Sequence, residues 1–211
     1  MSELLSPPML RFLPRFLEGM TVNFEIAMIA LCLGLILGVL LAAGRLAGGI
    51  LGGATAGATG LMRAAPTFVV MFFVLNALPH GDLSGMMIVA LSLVPYSAAY
   101  ISDSGVDAMR QYRLGSPLAS FLFFPNVARA FFVLVMSSGA GAAIGVREGI
   151  TALLTHAEHL PSLGDKLGCF AIGVACFAIP LQAGFAVIGL IQRRLGRMAV
   201  GYSFGTAAPG D

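Results

Sequence analysis

Residues 20–44 run for 25 positions with a single charge, Glu25. A helix crossing the hydrocarbon core of a bilayer needs about 20 mostly apolar residues, and four further runs meet that length: 61–79, 84–101, 121–145 and 168–192. The third is short and holds Pro95, which predicts a kink or a tilt. Lipid offers no partner to a bare peptide group, so only helices and closed barrels cross it. The ten-residue alternation of a barrel strand is absent. The chain is therefore expected to be all-α, a polytopic transmembrane bundle of five spans. Charged residues make up 10% of it, against about 25% in a soluble domain, so lipid must be the solvent for much of its surface. The net charge of +2 gives nucleic acid no footing.

Five spans put the two termini on opposite sides. The C-terminal side would carry Arg45, Arg63, Arg110, Arg113, Arg129, Arg193, Arg194 and Arg197. The N-terminal side would carry Arg11, Arg15, Arg147 and Lys166. Eight against four predicts a cytoplasmic C-terminus. Residues 1–18, with Pro7, Pro8, Pro14 and the interleaved "MLRFLPRFL", read as an interfacial segment without a secretory signal. The transmembrane domain is expected over 19–195, with a polar cytoplasmic loop at 102–120 and a cytoplasmic tail at 196–211. Cys32, Cys169 and Cys176 lie in apolar runs with no CxxC spacing and read as small buried hydrophobes.

Chemistry is sparse. There is no P-loop for ATP, no G-x-S-x-G elbow and no HExxH. "HAEH" at 156–159 reads as a solvated outer loop, and no His falls inside a span, which argues against an enzyme and against a bound cofactor. Polar side chains inside spans are costly and are functional candidates by default. Glu25, Asn76, Tyr96, Ser137, Ser138 and Gln182 are candidates for a polar pathway; the alternative is an interface-facing carboxylate for Glu25 and an interhelical hydrogen bond for each of the others. No charge lies at mid-membrane, a poor fit to a proton-driven pump. Gly34 with Gly38, and Gly49, Gly53 and Gly57, have small-xxx-small spacing. That suits close packing within the chain or against another subunit. "GGILGGATAGATG" (48–60) fits either packing or a flexible cytoplasmic connection.

Four stretches carry a family resemblance. "FLEGMTVNFEIAMIALCLGLILGVLLAAGRLA" (16–47) offers Gly19, Gly34, Gly38 and Arg45. "LMRAAPTFVVMFFVLNALP" (61–79) offers Arg63, Pro66 and Pro79. "ALSLVPYSAAYISD" (90–103) ends in Asp103, and "FPNVARAFF" with "IGVREGI" offers Pro125, Arg129, Ile144, Gly145, Val146 and Glu148. In this order they resemble the membrane subunits of ABC importers for polar amino acids, the histidine, glutamate, glutamine, arginine and opine permeases, over about residues 16–195.

The resemblance implies a type I ABC importer permease fold in a bacterial inner membrane. It implies a second permease subunit, the same or paralogous, and separate ABC ATPase subunits that bind the ATP. A periplasmic or lipid-anchored substrate-binding protein would deliver a polar amino acid or related small solute. The polar island "SDSGVDAMRQYRLGSP" (102–117) would hold the segment that couples to the ATPase. Gly105, Asp107, Arg110, Arg113 and Gly115 are its implied coupling residues, with Asp107 and Arg110 as ionic contacts and Gly115 permitting a turn. The island is shorter than the family's, and its Glu-Ala-Ala motif is not intact. The charged residues expected before Ile144 are replaced by Ser137-Ser138-Gly139-Ala140-Gly141. These departures suit a less charged substrate, or a degenerate structural or regulatory subunit paired with an active permease.

Overall fold

The computed structural model describes residues 7–77 and 83–205. The start of the interfacial segment, Pro79 at the close of the second apolar run, and the last six residues of the tail lie outside them. Among the described residues there are eight α-helices and no strand: α1 (Pro7–Ala47), α2 (Gly49–Ala64), α3 (Thr67–Ala77), α4 (Gly85–Arg113), α5 (Pro117–Ser120), α6 (Phe123–Ser138), α7 (Gly149–Glu158) and α8 (Leu163–Gly205). A 3-10 segment, Gly139–Ile144, comes after α6. Four helices are long and apolar enough to cross a membrane, and α2 with α3 makes a fifth span if that bent pair is counted as one.

The breaks follow from proline and glycine. The axis turns by 98° between α2 and α3. Pro66 has no amide hydrogen and pushes the residue before it out of the helical region; Ala65 is extended, with ψ 118°. The second apolar run is thus broken at Pro66 and is not one straight helix. The glycine-rich stretch 48–60 is not a flexible connection: it forms α2 after a turn at Gly48 and Gly49, whose φ values are 73° and 59°.

The largest departure from expectation concerns the polar island. It is not a loop from 102 onward, because α4 continues through it to Arg113. No proline interrupts residues 96–113, and Arg110 and Arg113 sit in the last turn, where cations suit the negative end of the helix dipole. The chain then turns at Gly115, φ 78°. The Ser116 amide donates to the Gln111 carbonyl (3.0 Å) and the Gly115 amide to that of Tyr112 (3.1 Å), a glycine-terminated helix end.

The chain divides into two compact units, and α1, α4, α6 and α8 each contribute a portion to both. Unit one comprises 1–30, 66–93 and 133–182. Its apolar cluster gathers Phe12, Phe16 and Met20 of α1 with Leu153 and Ala157 of α7 and Cys169 of α8. The Phe16 ring meets Phe177 edge-on at 5.6 Å. Lipid tails are as apolar as these side chains, so contact geometry holds such helices together rather than the escape from water.

Unit two comprises 31–65, 94–132 and 183–211. Here small residues bring α1 onto α4. A Cβ on Gly34 would fall 2.1 Å from Ser97 Oγ, and one on Gly38 2.7 Å from the Ala98 carbonyl oxygen. Gly34 and Gly38 therefore serve packing within the chain, whereas added Cβ atoms on Gly49, Gly53 and Gly57 would meet nothing within 4 Å. Of the cysteines, Cys169 is buried and Cys176 half-buried, but Cys32 is exposed on α1. An apolar residue needs no protein cover where its neighbour is hydrocarbon.

Candidate functional site

Unit two holds an ionic tie between three helices. Asp103 of α4 accepts from Arg45 of α1 through Nη1 to Oδ1 at 2.7 Å, and its Oδ2 pairs with Arg63 of α2. Arg45 Nη1 also lies 3.2 Å from Ser102 Oγ. Both arginines stand in the last turn of their helices. Each therefore meets the Asp103 carboxylate while opposing its own helix's negative end. Arg45 and Asp103 are largely shielded, with side chains 22% and 34% exposed, while Arg63 at 59% is open to screening.

Just beyond Asp103, the last turns of α4 present Asp107, Arg110 and Arg113 outward. None of the three forms an ion pair among the described residues. Gly105 differs: it is half-buried, and a Cβ there would lie 3.2 Å from the Ala42 Cβ, so its role is close packing of α4 on α1. Gly115 turns the chain at the end of α4. An apolar hollow of about 450 Å³ lies beside this end of α4, walled by Val39, Leu46, Met109, Tyr112, Phe121 and Phe124.

Unit one holds a buried polar cage. Asn23 of α1, Ser138 at the end of α6, and Glu148 just before α7 are each fully buried. The Asn23 Nδ2 donates to Glu148 Oε2 (2.8 Å) and to Ser138 Oγ (2.9 Å), while its Oδ1 accepts from the Gly149 amide (3.0 Å). Glu148 caps α7: Oε2 accepts from the Ile150 amide and Oε1 from the Thr151 amide, both at 2.8 Å. The Thr151 hydroxyl donates to the Val146 carbonyl at 2.6 Å and stands 3.1 Å from Oε1. A buried carboxylate needs either a cation or several donors; this one has donors. The turn that delivers it is Gly145, φ 78°, which ends the 3-10 segment.

Beside the cage opens a cleft of about 930 Å³ between α1 and α7, whose walls include Arg15, Glu18, Arg147, Thr155, His156 and His159. The His156 ring stacks on Phe12 at 4.6 Å. Burial first, and the neighbouring His159 second, hold His156 below the ordinary imidazole range. His159 Nδ1 lies 2.7 Å from the Thr155 carbonyl oxygen. Among the described residues no three His, Cys, Asp or Glu side chains gather as metal ligands would.

Of the six pathway candidates, five lie in unit one and Tyr96 in unit two. Ser138 joins the cage and Ser137 beside it is half-buried. Glu25 and Gln182 are exposed. Asn76, also exposed, donates to the Phe72 carbonyl of its own helix at 2.6 Å. In unit two the half-buried Tyr96 ring lies 6.3 Å from Tyr100. Sequence reasoning passed over Asn23 as a site residue and quoted Glu148, Arg45, Arg63 and Asp103 only as separate matches. The signal that could have found the cage is a polar residue in each of two apolar stretches with a carboxylate directly before a new helix.

No family model and no curated protein matches this chain. Among solved structures, it is similar to a chain from a crystal structure of an amino acid ABC transporter with histidines. The TM-score is 0.70, identity 13%, and the match covers 88% of this chain and 96% of the other. The fold implied by the ordered sequence motifs is the fold observed.

Proposed function

We propose that this chain is a membrane-spanning permease subunit of an ATP-binding-cassette importer for a polar amino acid or a related small solute. The observation that carries this reading is the shared fold, which extends over nearly the full length of both chains. The ordered motifs from Gly19 to Glu148 support it independently.

In this reading ATP is bound and hydrolysed by separate subunits. The exposed end of α4, with Asp107, Arg110 and Arg113, is their docking surface, and the Arg45–Asp103–Arg63 tie fixes that end against α1 and α2. A second permease subunit completes the pathway, and a binding protein delivers solute from outside. The Glu148 cage fixes the turn between the 3-10 segment and α7, so that side chains beside it keep their place as the pathway alternates. The arginine bias supports a cytoplasmic C-terminus, and a bacterial inner membrane follows from the family resemblance.

The test is to purify the chain with its neighbours and measure uptake and ATP hydrolysis in proteoliposomes. The double variant Asp107→Lys with Arg110→Glu is expected to keep hydrolysis and lose uptake. Unchanged uptake sinks the docking role. A second reading, a structural or regulatory subunit paired with an active permease, draws on α5: after Gly115 only four helical residues are left to form a separate coupling helix. Full-rate import by the partner permease in the absence of this chain would favour it.

A further inference from the structure

We propose that unit two carries a binding site for the phosphate headgroup of an anionic phospholipid, built from Arg129 of α6 with Arg193, Arg194 and Arg197 of α8. The inference needs only the membrane reading and is independent of what the protein transports.

Hydrogen bonds fix the frame. Gln192 of α8 donates through Nε2 to Asn126 Oδ1 at 2.9 Å, and its Oε1 accepts from Arg129 Nη2 at 3.4 Å. These contacts pin the first turns of α6 to α8 one residue before its basic run. About two turns earlier, Gly184 and Phe185 meet the Phe132 ring, so the same face of α8 lies along α6. At 100° per residue, Arg193, Arg197 and Arg194 lie about 100°, 140° and 200° around from Gln192, from the flank of this contact round to the side of α8 turned away from α6. Arg197 Nε lies 3.4 Å from the Arg193 carbonyl oxygen.

The charge is unanswered within the protein. Arg129, Arg193, Arg194 and Arg197 are all exposed, and none pairs with a carboxylate among the described residues. The described acids of unit two are Asp103, already shared by Arg45 and Arg63, and Asp107. Four guanidiniums therefore stand at this end of α6 and α8 with no counter-charge.

The surroundings say which anion fits. Immediately before the arginines, α8 exposes Val187, Leu190 and Ile191 at 55%, 60% and 45%, and α6 exposes Phe124 at 64%. Large apolar surface facing outward on a spanning helix is acyl-chain territory, and the step from it to arginine marks headgroup depth. A ligand with a phosphodiester at one end and two acyl chains at the other meets both surfaces; a free phosphate or an acidic protein face meets only one. Guanidinium groups suit this anion because they bind phosphate oxygens in pairs.

The experiment uses the full-length chain in nanodiscs of phosphatidylcholine doped with phosphatidylglycerol. Lipid retained after extraction into mild detergent is counted by native mass spectrometry. Wild type is expected to retain phosphatidylglycerol over phosphatidylcholine. Each arginine near a membrane surface contributes about fivefold in affinity for anionic lipid, so Arg129→Gln with Arg193→Gln should lower retention by more than tenfold. The Arg129→Lys and Arg193→Lys pair, which keeps the charge, should recover part of it. Arg15→Gln with Arg147→Gln removes the same charge from unit one and should leave retention unchanged. Equal loss in that control, equal retention by the glutamine pair, or displacement of the lipid by millimolar inorganic phosphate overturns the proposal. So does retention that vanishes when an ATPase subunit is bound, since that subunit would then be the arginines' partner. A variant that fails to enter nanodiscs is replaced by Arg197→Gln alone, with an expected drop of about fivefold.

Discussion

Asn23 and Glu148 lie 125 positions apart in the chain and meet through a 2.8 Å hydrogen bond inside unit one. The contact ties the first spanning helix to the start of α7 and leaves no solvent at either side chain. Replacing Asn23 by Leu removes one donor from a buried carboxylate, strands the Gly149 amide and takes from Ser138 Oγ the bond it accepts, leaving only its donation to the Val135 carbonyl. The expected loss is about 1–3 kcal/mol per stranded group. Thermal unfolding in detergent should show Asn23→Leu well below wild type, with Asn23→Asp also impaired because it sets two carboxyl groups against each other.

Glu148→Gln keeps the size of the side chain but puts an amide NH2 where a backbone amide must donate. Glu148→Ala removes the cap altogether. Loss of a helix cap costs about 0.5–2 kcal/mol. Hydrogen exchange of α7 amides, beginning at Ile150 and Thr151, should accelerate in both variants while α4 amides stay protected. Uniform acceleration along the chain would refute a local role.

At Asp103 a single carboxylate answers two guanidiniums, so removing it should cost more than removing either arginine. Arg63, the more exposed partner, is expected to contribute about 0–1 kcal/mol. Asp103→Ala leaves Arg45 and Arg63 facing each other and should destabilise more than Arg63→Gln. A double-mutant cycle across Arg45 and Asp103 measures the coupling, which a rise in salt should reduce more for the Arg63 pair.

Gly34 and Gly53 make a matched comparison. Gly34→Ala drives a Cβ into Ser97 and should cost about 1–3 kcal/mol, the usual penalty of overpacking. Gly53→Ala meets nothing within 4 Å in this chain and improves helix propensity by about 1 kcal/mol. If Gly53→Ala instead impairs assembly while the isolated chain gains stability, α2 packs against another subunit.

The His156 stack gives the pH dependence. Its folded value is held below that of the unfolded chain, so below the ordinary imidazole range the unfolded state takes up the proton more readily. Stability therefore rises with pH between the lowered and the ordinary value, and acidification through that window should loosen α7 from Phe12. His156→Phe is expected to keep the packing and abolish this dependence in a pH series of α7 hydrogen exchange.

How much of this was written in the sequence depends on the distance over which each feature is decided. The apolar runs around Leu31, Val89, Val135 and Gly173 are decided by their own twenty neighbours, and there the reading found helices. The end of α4 is decided by the residues C-terminal to it. Polarity at 102–113 suggested a loop, yet polarity marks where a helix leaves lipid, not where it stops; Gly115 stops it. The glycines of 48–60 fitted packing and flexibility alike. Each costs a helix about 1 kcal/mol relative to alanine, but the turn at Gly48 and Gly49 brings Thr55 close to Gly44, a contact that composition does not encode. Asn23, Ser138 and Glu148 come from three separate segments. Glu148 is also not among the favoured capping residue types, so its residue type alone did not mark it as a cap.

The cage leaves α7 with no vacancy at its positive end. The amides of Ile150 and Thr151, which elsewhere would greet a visiting carboxylate or phosphate, are already claimed by the chain's own Glu148. Any acidic guest that reaches this wall must be recognised by side chains alone, unless Glu148 first gives up its seat.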